Sequence, residues 1–245
     1  LFPPVTLLAF CLCTGATAQT AAKTSATPSP KTAPAVVTPA PGDVLIPAPS
    51  DAQVLFDGKD LAQWCRKDGS PAAWTVENGD MVVKAKSGNI QTKRNFGDCQ
   101  LHIEWCTPEN VSDTGQLRSN SGVFLQSLYE VQILDSYLND TYWNGQAGSI
   151  YKQSAPLVNA CQKPGKWNTY DIIYTAPRFK EDGSLQSHGR ITVLHNGVLV
   201  QNNTMILGTT EFIGFPRIVA HGKGPIILQD HLNPVRFRNI WIREL

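Results

Sequence analysis

"RITVLHNGVLVQ", Arg190–Gln201, decides the fold class. Two apolar runs rich in β-branched residues flank Asn196-Gly197, and both residues of that dipeptide tolerate the positive φ that a two-residue hairpin turn demands. The stretch therefore reads as two antiparallel strands. The same period of two recurs on both sides of it. "LHIEW" (Leu101–Trp105), "SGVFLQ" (Ser121–Gln126), "YEVQIL" (Tyr129–Leu134), "YDIIYTA" (Tyr170–Ala176), "GPIILQ" (Gly224–Gln229) and "VRFRNIWIREL" (Val235–Leu245) all suit strands. Turn dipeptides fall between such segments, at Asp68-Gly69, Asn78-Gly79, Pro164-Gly165 and Asp182-Gly183. No stretch carries a helical stripe for three turns, and no βαβ rhythm or fixed-period repeat is visible. Many short strands without crossover helices predict an all-β fold, an antiparallel β-sandwich of the jelly-roll kind.

The chain has 245 residues, 42% of them hydrophobic and 17% charged, with a net charge of +1. That balance gives no electrostatic support to a nucleic-acid partner. The opening "LFPPVTLLAFCLCTGATAQT" is apolar and ends in Ala16-Thr17-Ala18, a small-x-small cleavage pattern; residues 1–18 read as a secretory signal peptide truncated at its start. The run is too short for a transmembrane segment. A lipid anchor on Cys11 or Cys13 is disfavoured by the bulky Phe10 before Cys11. Residues 19–50 are rich in Pro, Ala and Thr and bury too little apolar surface to order themselves, so they read as a disordered linker. One domain of ordinary size is expected over 51–245. The expected location is secreted or periplasmic.

After the leader, Cys65, Cys99, Cys106 and Cys161 remain. An oxidising compartment permits pairing, and four cysteines allow three complete pairings. Cys99 and Cys106 sit at opposite ends of "CQLHIEWC". Seven strand steps of ~3.3 Å separate them by more than ~20 Å, against the ~6 Å Cα spacing of a disulfide, so that pair is eliminated. Free, buried thiols are the alternative. No CxxC or Cys/His spacing suggests zinc.

Alternation assigns the strand faces. Leu101, Ile103 and Trp105 belong in the core, with His102 and Glu104 on the reverse face. Val131 and Ile133 go in, with Glu130 and Gln132 out; Val123 and Leu125 go in, with Gly122, Phe124 and Gln126 out. Acids, amides and an aromatic ring on the outer faces suit sugar hydroxyls and pyranose faces. An ordinary solvated sheet face has the same pattern.

Ordered blocks carry a further signal: "VLFDGKDLAQW", "WTVENGDMVV", "FGDCQLHIEW", "NSGVFLQ", "YEVQILD", "GSIY", "KWNTYDIIY", "LHNGVLV" and "LQDHLNPVRFRNIWIREL". Together, from Val54 to Leu245, they resemble the bacterial 3-keto-disaccharide hydrolase family. The resemblance implies an exported, concanavalin-like and glucanase-like β-sandwich that cleaves glycosides first oxidised at C3, by hydrolysis or by elimination and hydration. The implied partner is an oligosaccharide or glycoside. Retaining glucanases of this fold set two Glu residues four apart on one strand, meeting the ~5.5 Å separation of their mechanism. The matching register here is Glu130, Gln132, Leu134, without the second carboxylate.

A 3-keto sugar needs only one base, donors for the enolate oxygen and assistance to the leaving group. Glu130 is the first candidate for the base and His231 the second; Glu104 is a further catalytic candidate, supplying a partner carboxylate or orienting another group. Gln132, Arg118 and Asn120 are candidate donors to the substrate, Asp135 a candidate orienting acid, and Phe124 a candidate ring-binding plate. Trp143, with Tyr142 in "NDTYWNGQ", either caps a sugar site or packs a hairpin. A divalent cation held by Glu104, Glu130, Gln132 and His231 is a possible cofactor, although no motif demands one. His188, His195 and His221 read as structural, and Asp230 as bracing its own turn. A lectin-like module that binds without turnover is the alternative function.

Overall fold

The computed structural model describes residues 33–39 and 45–245. The signal-peptide reading of residues 1–18, Cys11 and Cys13 included, lies outside the described residues, as does part of the segment read as linker.

Two antiparallel sheets dominate. The larger runs Val198–Met205, Arg190–His195, Trp167–Thr175, Cys99–Cys106, Arg236–Glu244, Asp80–Val82, Thr75–Glu77, with Gln53–Phe56 paired to Arg236–Glu244 beside that path. The smaller runs Trp64–Cys65, Ile90–Thr92, Ile227–Leu228, Ser121–Leu125, Tyr129–Ile133. Among the described residues the only helices are two single 3-10 turns, Gly115–Leu117 and Trp143–Gly145. The expected hairpin is present: Asn196 and Gly197 have φ of 53° and 75°, and His195 pairs with Val198 across the turn.

The sheets pack face to face over the predicted core. Leu101, Ile103 and Trp105 from the large sheet and Val123, Leu125, Val131 and Ile133 from the small one are all essentially inaccessible. Two tyrosines of the large sheet also cross the interlayer space with their hydroxyls. Tyr170 Oη donates to the Gln132 carbonyl at 2.7 Å, and Tyr174 Oη donates to Gln126 Oε1 at 2.5 Å. Each phenol needs a buried acceptor, and each finds it on the opposite layer. Together these contacts define an antiparallel β-sandwich.

Cys65, Cys99, Cys106 and Cys161 are all free and buried. Cys99 and Cys106 begin and end one uninterrupted strand, as the spacing requires. Within the segment read as linker, Ala35–Val36 pairs in parallel with Val158–Asn159, and Val37 N donates to Asn159 O at 3.0 Å. That stretch is therefore ordered against the domain. No helix among the described residues is long and apolar enough to cross a membrane.

Candidate active site

Tyr129–Ile133 is the edge strand of the small sheet. An open edge exposes unpaired backbone groups, and here they are covered by loops. Gln132 N donates to Ser149 O and Gly148 N to Gln132 O, both at 3.0 Å, and Tyr151 N donates to Glu130 O at 3.1 Å. From a different loop, Thr210 Oγ1 accepts from Glu130 N at 2.9 Å, and Thr210 N donates to Leu128 O at 2.8 Å. The loops that satisfy the edge also roof its outer face. Glu130 and Gln132 are thus only 4% and 1% exposed, although they point away from the core.

They form the floor of a cavity of about 400 Å³, lined further by Gln116, Asn120, Tyr151, Thr210, Gln229 and His231, with Phe124, Leu117 and Phe212 supplying apolar surface. Desolvation pushes the Glu130 carboxyl up to about 8, with no cation to offset it. The side chain lies across Gly122 of the neighbouring strand, where a Cβ would sit 2.3 Å from Glu130 Oε1. Glycine leaves the space that the carboxylate fills.

The Gln132 amide touches three acceptors: Glu130 Oε1 at 3.2 Å, Ser121 O at 3.1 Å and Gln116 Oε1 at 3.0 Å. Its nitrogen faces either the carboxylate and Ser121 or Gln116. An ionised Glu130 favours the first orientation; a protonated one donates to the amide oxygen and favours the second. Gln116 is fixed by its own donations, at 2.8 Å each, to Thr141 Oγ1 and Gly145 O. Gln229 Oε1 is buried without a partner at the cavity wall, an acceptor ready for a ligand hydroxyl.

Beside Glu130 stands a phenol pair. Tyr151 and Tyr142 hydroxyls are 2.5 Å apart, and the Lys152 ammonium lies 3.8 Å above the Tyr142 ring. Burial raises the Tyr151 pKa from its ordinary value, so the phenol keeps its proton at neutral pH. Gln116, Tyr151, Thr210, Phe212 and Gln229 escape sequence reasoning because loops from distant parts of the chain bring them in. The legible hints were "GSIY", whose last residue is Tyr151, and "LQDH", whose second residue is Gln229.

Five predicted residues meet in the cavity: Glu130, Gln132, Asn120, Phe124 and His231. Four do not line it. Glu104 is on the reverse face of the large sheet, across the whole core from Glu130. There Arg238 Nε donates to it at 2.7 Å and Asn239 Nδ2 at 2.8 Å, and His102 Nε2 lies 3.5 Å away. Its predicted role as partner carboxylate, and the cation set containing it, are both excluded by that position. No group of three or more His, Cys, Asp or Glu among the described residues is placed to hold a metal ion. Arg118 and Asp135 form an ion pair of 2.8 Å with each other, and Asp135 O also accepts from Asn139 Nδ2 at 2.7 Å, so the pair braces the loop entering the site. Trp143 opens the short turn whose Gly145 supports Gln116 and does not line the cavity. Asp230 accepts from Leu232 N at 3.0 Å and Gly88 N at 2.9 Å, as a turn brace does.

A β-sandwich that roofs an uncompensated carboxylate under amides, a phenol and aromatic rings belongs with the glycoside-acting enzymes. Residues 51–243 match the 3-keto-alpha-glucoside-1,2-lyase-like domain, and the chain belongs to that family. A crystal structure of a candidate glycosyl hydrolase from Parabacteroides distasonis is 58% identical, with a TM-score of 0.80 over 87% of this chain and 93% of that one. A second candidate glycosyl hydrolase from the same organism is 22% identical, with a TM-score of 0.58 over 80% of this chain and 94% of its own, and shows the shared fold. No curated protein matches the chain.

Proposed function

We propose that the protein cleaves 3-keto-glycosides by elimination across C1 and C2, acting as a secreted or periplasmic enzyme. The observation that carries this reading is Glu130: a carboxylate buried in a ligand-sized cavity, without a cation, and raised to about 8. Such a group is costly to folding and well matched to a proton transfer near neutral pH.

The ketone at C3 acidifies the C2 hydrogen. Glu130 takes that proton, and the C2–H electron pair moves into an enolate spanning C2 and C3. The enolate then re-forms the carbonyl, its electrons make the C1–C2 double bond, and the C1–oxygen bond breaks with the pair leaving on oxygen. The Tyr151 phenol, still protonated, stands beside Glu130 to donate to the enolate or to the departing oxygen. Gln229 Oε1 accepts a sugar hydroxyl. Water added across the double bond returns the free 3-keto sugar, completing a net hydrolysis.

The test is a 3-keto-glucoside in deuterated water. Elimination and hydration place deuterium at C2 of the released sugar, whereas direct hydrolysis leaves C2 unlabelled. Glu130→Gln, which keeps the shape but not the proton acceptor, should lower turnover by ~10²–10⁴-fold. Wild-type turnover in that variant would rule out Glu130 as the base.

A further inference from the structure

The cavity is chemically two-ended. Its floor is polar: Glu130, Gln132, Asn120 and the unpartnered Gln229 oxygen. Its mouth is apolar. Leu117 and Phe212 both line it while remaining 63% and 71% exposed, and Ile213 and Phe215 follow on the Phe212 loop at 83% and 89%. Side chains of this size are seldom held together in water without a use.

The loop that displays them is anchored. Thr209 N donates to Arg217 O at 2.9 Å, closing its base, and Gln153 Nε2 donates to Gly208 O at 3.0 Å. The polar side chains of the loop are occupied by one another or by the site. Glu211 Oε1 accepts from Arg217 at 2.9 and 2.8 Å and from Thr209 Oγ1 at 2.9 Å, and Thr210 Oγ1 accepts from Glu130 N. The cation nearest the Phe212 ring, the Lys152 ammonium, lies over the aromatic rings themselves, 5.6 Å from the Phe212 centroid, so few groups on this rim face outward for the hydroxyls of a second sugar. Aromatic rings alone would suit a pyranose face, but sugar binding also needs donors and acceptors around it, and the exposed side chains that share the mouth and loop with Phe212 are chiefly Leu117, Ile213 and Phe215.

We infer that the group cleaved from the sugar is an apolar aglycone, preferably aromatic, that lies on Phe212 and its loop, and that Phe212 determines this preference. The inference rests on the glycoside-cleaving function proposed above. In that arrangement the sugar occupies the polar floor with C2 at Glu130, and the C1 substituent points out along the apolar mouth.

The experiment compares 2-phenylethyl and 2-hydroxyethyl 3-keto-glucosides in both anomers. Both leaving groups are primary alkoxides, so the comparison isolates contact from leaving-group chemistry. The expected kcat/KM ratio favours phenylethyl by on the order of 10–100-fold, the discrimination an apolar surface gives. Phe212→Ser and Ile213→Ser/Phe215→Ser should each lower that ratio, Phe212→Ser furthest. Titration calorimetry with the corresponding unoxidised glucosides measures the same preference without turnover. If neither ketone reacts while phenylethyl glucoside still binds better in a Phe212-dependent way, the elimination chemistry is wrong and the apolar-aglycone site stands. Equal or reversed ratios overturn the inference, as does failure of both glucosides to bind and react. A serine variant that alters self-association or vesicle binding while leaving the ratio unchanged also overturns it.

Discussion

Glu130 joins function to a cost in stability. Its carboxyl holds its proton up to about 8 in the folded protein, whereas an unfolded chain releases it near the ordinary glutamate value of 4.5. The folded state therefore binds the extra proton between those values. The associated stability is complete below about 4.5 and is lost as pH rises towards 8. Each tenfold in that equilibrium is worth about 1.4 kcal/mol, so Glu130→Gln should gain stability on the order of a few kcal/mol over wild type at pH 9. The two proteins should converge at pH 4, as measured by denaturant melts at both pH values. Catalysis runs the other way. As the proposed base, Glu130 must be ionised, so wild-type kcat/KM should rise with pH and level off above about 8. A pH profile that is flat through this range would remove Glu130 from the proton transfer.

At the scale of elements, the site depends on one strand pair. Phe124 stands opposite Glu130 and Gly122 opposite Gln132, which brings the Glu130 carboxylate over a residue without a side chain. In Gly122→Ala the new methyl occupies that place, and Glu130 must swing away. Misplacement on the scale of an ångström costs about 10²-fold in rate, so turnover should fall by about that much while the melting temperature changes little. The reverse face of the large sheet holds a separate polar cluster. Its His102 donates or accepts at 2.7 Å with Asp171 and stacks on Trp241 at 5.0 Å. Burial draws the His102 pKa down, but its bonds to Asp171 and Glu104 outweigh this and lift it to about 8. The charged imidazole thus stabilises the fold fully below its ordinary value of 6.5, and that contribution disappears as pH rises through 8. His102→Gln should cost about 1–3 kcal/mol at pH 6 and less at pH 9, with turnover of the 3-keto substrate unaffected on the far side of the sandwich.

Across the whole molecule, the family match begins at residue 51, yet earlier residues touch the sandwich. Ile46 O accepts from Asn239 Nδ2 at 2.8 Å, and Asn239 in turn holds Glu104. Ala35–Val36 adds its short parallel pair to Val158–Asn159. A protein beginning at Asp51 keeps the entire core and both large sheets, so it should fold cooperatively with a β-type circular dichroism spectrum. It should melt a few degrees below one beginning at Thr32, at roughly 2–4 °C per kcal/mol for a domain of this size. Equal melting would make the early contacts incidental, and helical circular dichroism would contradict the fold.

The strand periods, the Asn196-Gly197 turn and the core faces were determined by the sequence alone, because side-chain alternation and turn conformation are local properties of the chain. Leu101, Ile103, Trp105, Val131 and Ile133 are buried where alternation puts them. The meaning of the polar residues between them was not local. Glu104 and Glu130 have the same pattern in sequence, an acid between two core residues, yet they occupy opposite outer faces of the sandwich. One is paired with the Arg238 guanidinium and accepts a hydrogen bond from Asn239; the other stays without a cation under a roof of loops. Only the tertiary structure made that distinction. Desolvation and partner charge are set by what the rest of the chain lays over a strand face, and the strand's own residues do not encode it.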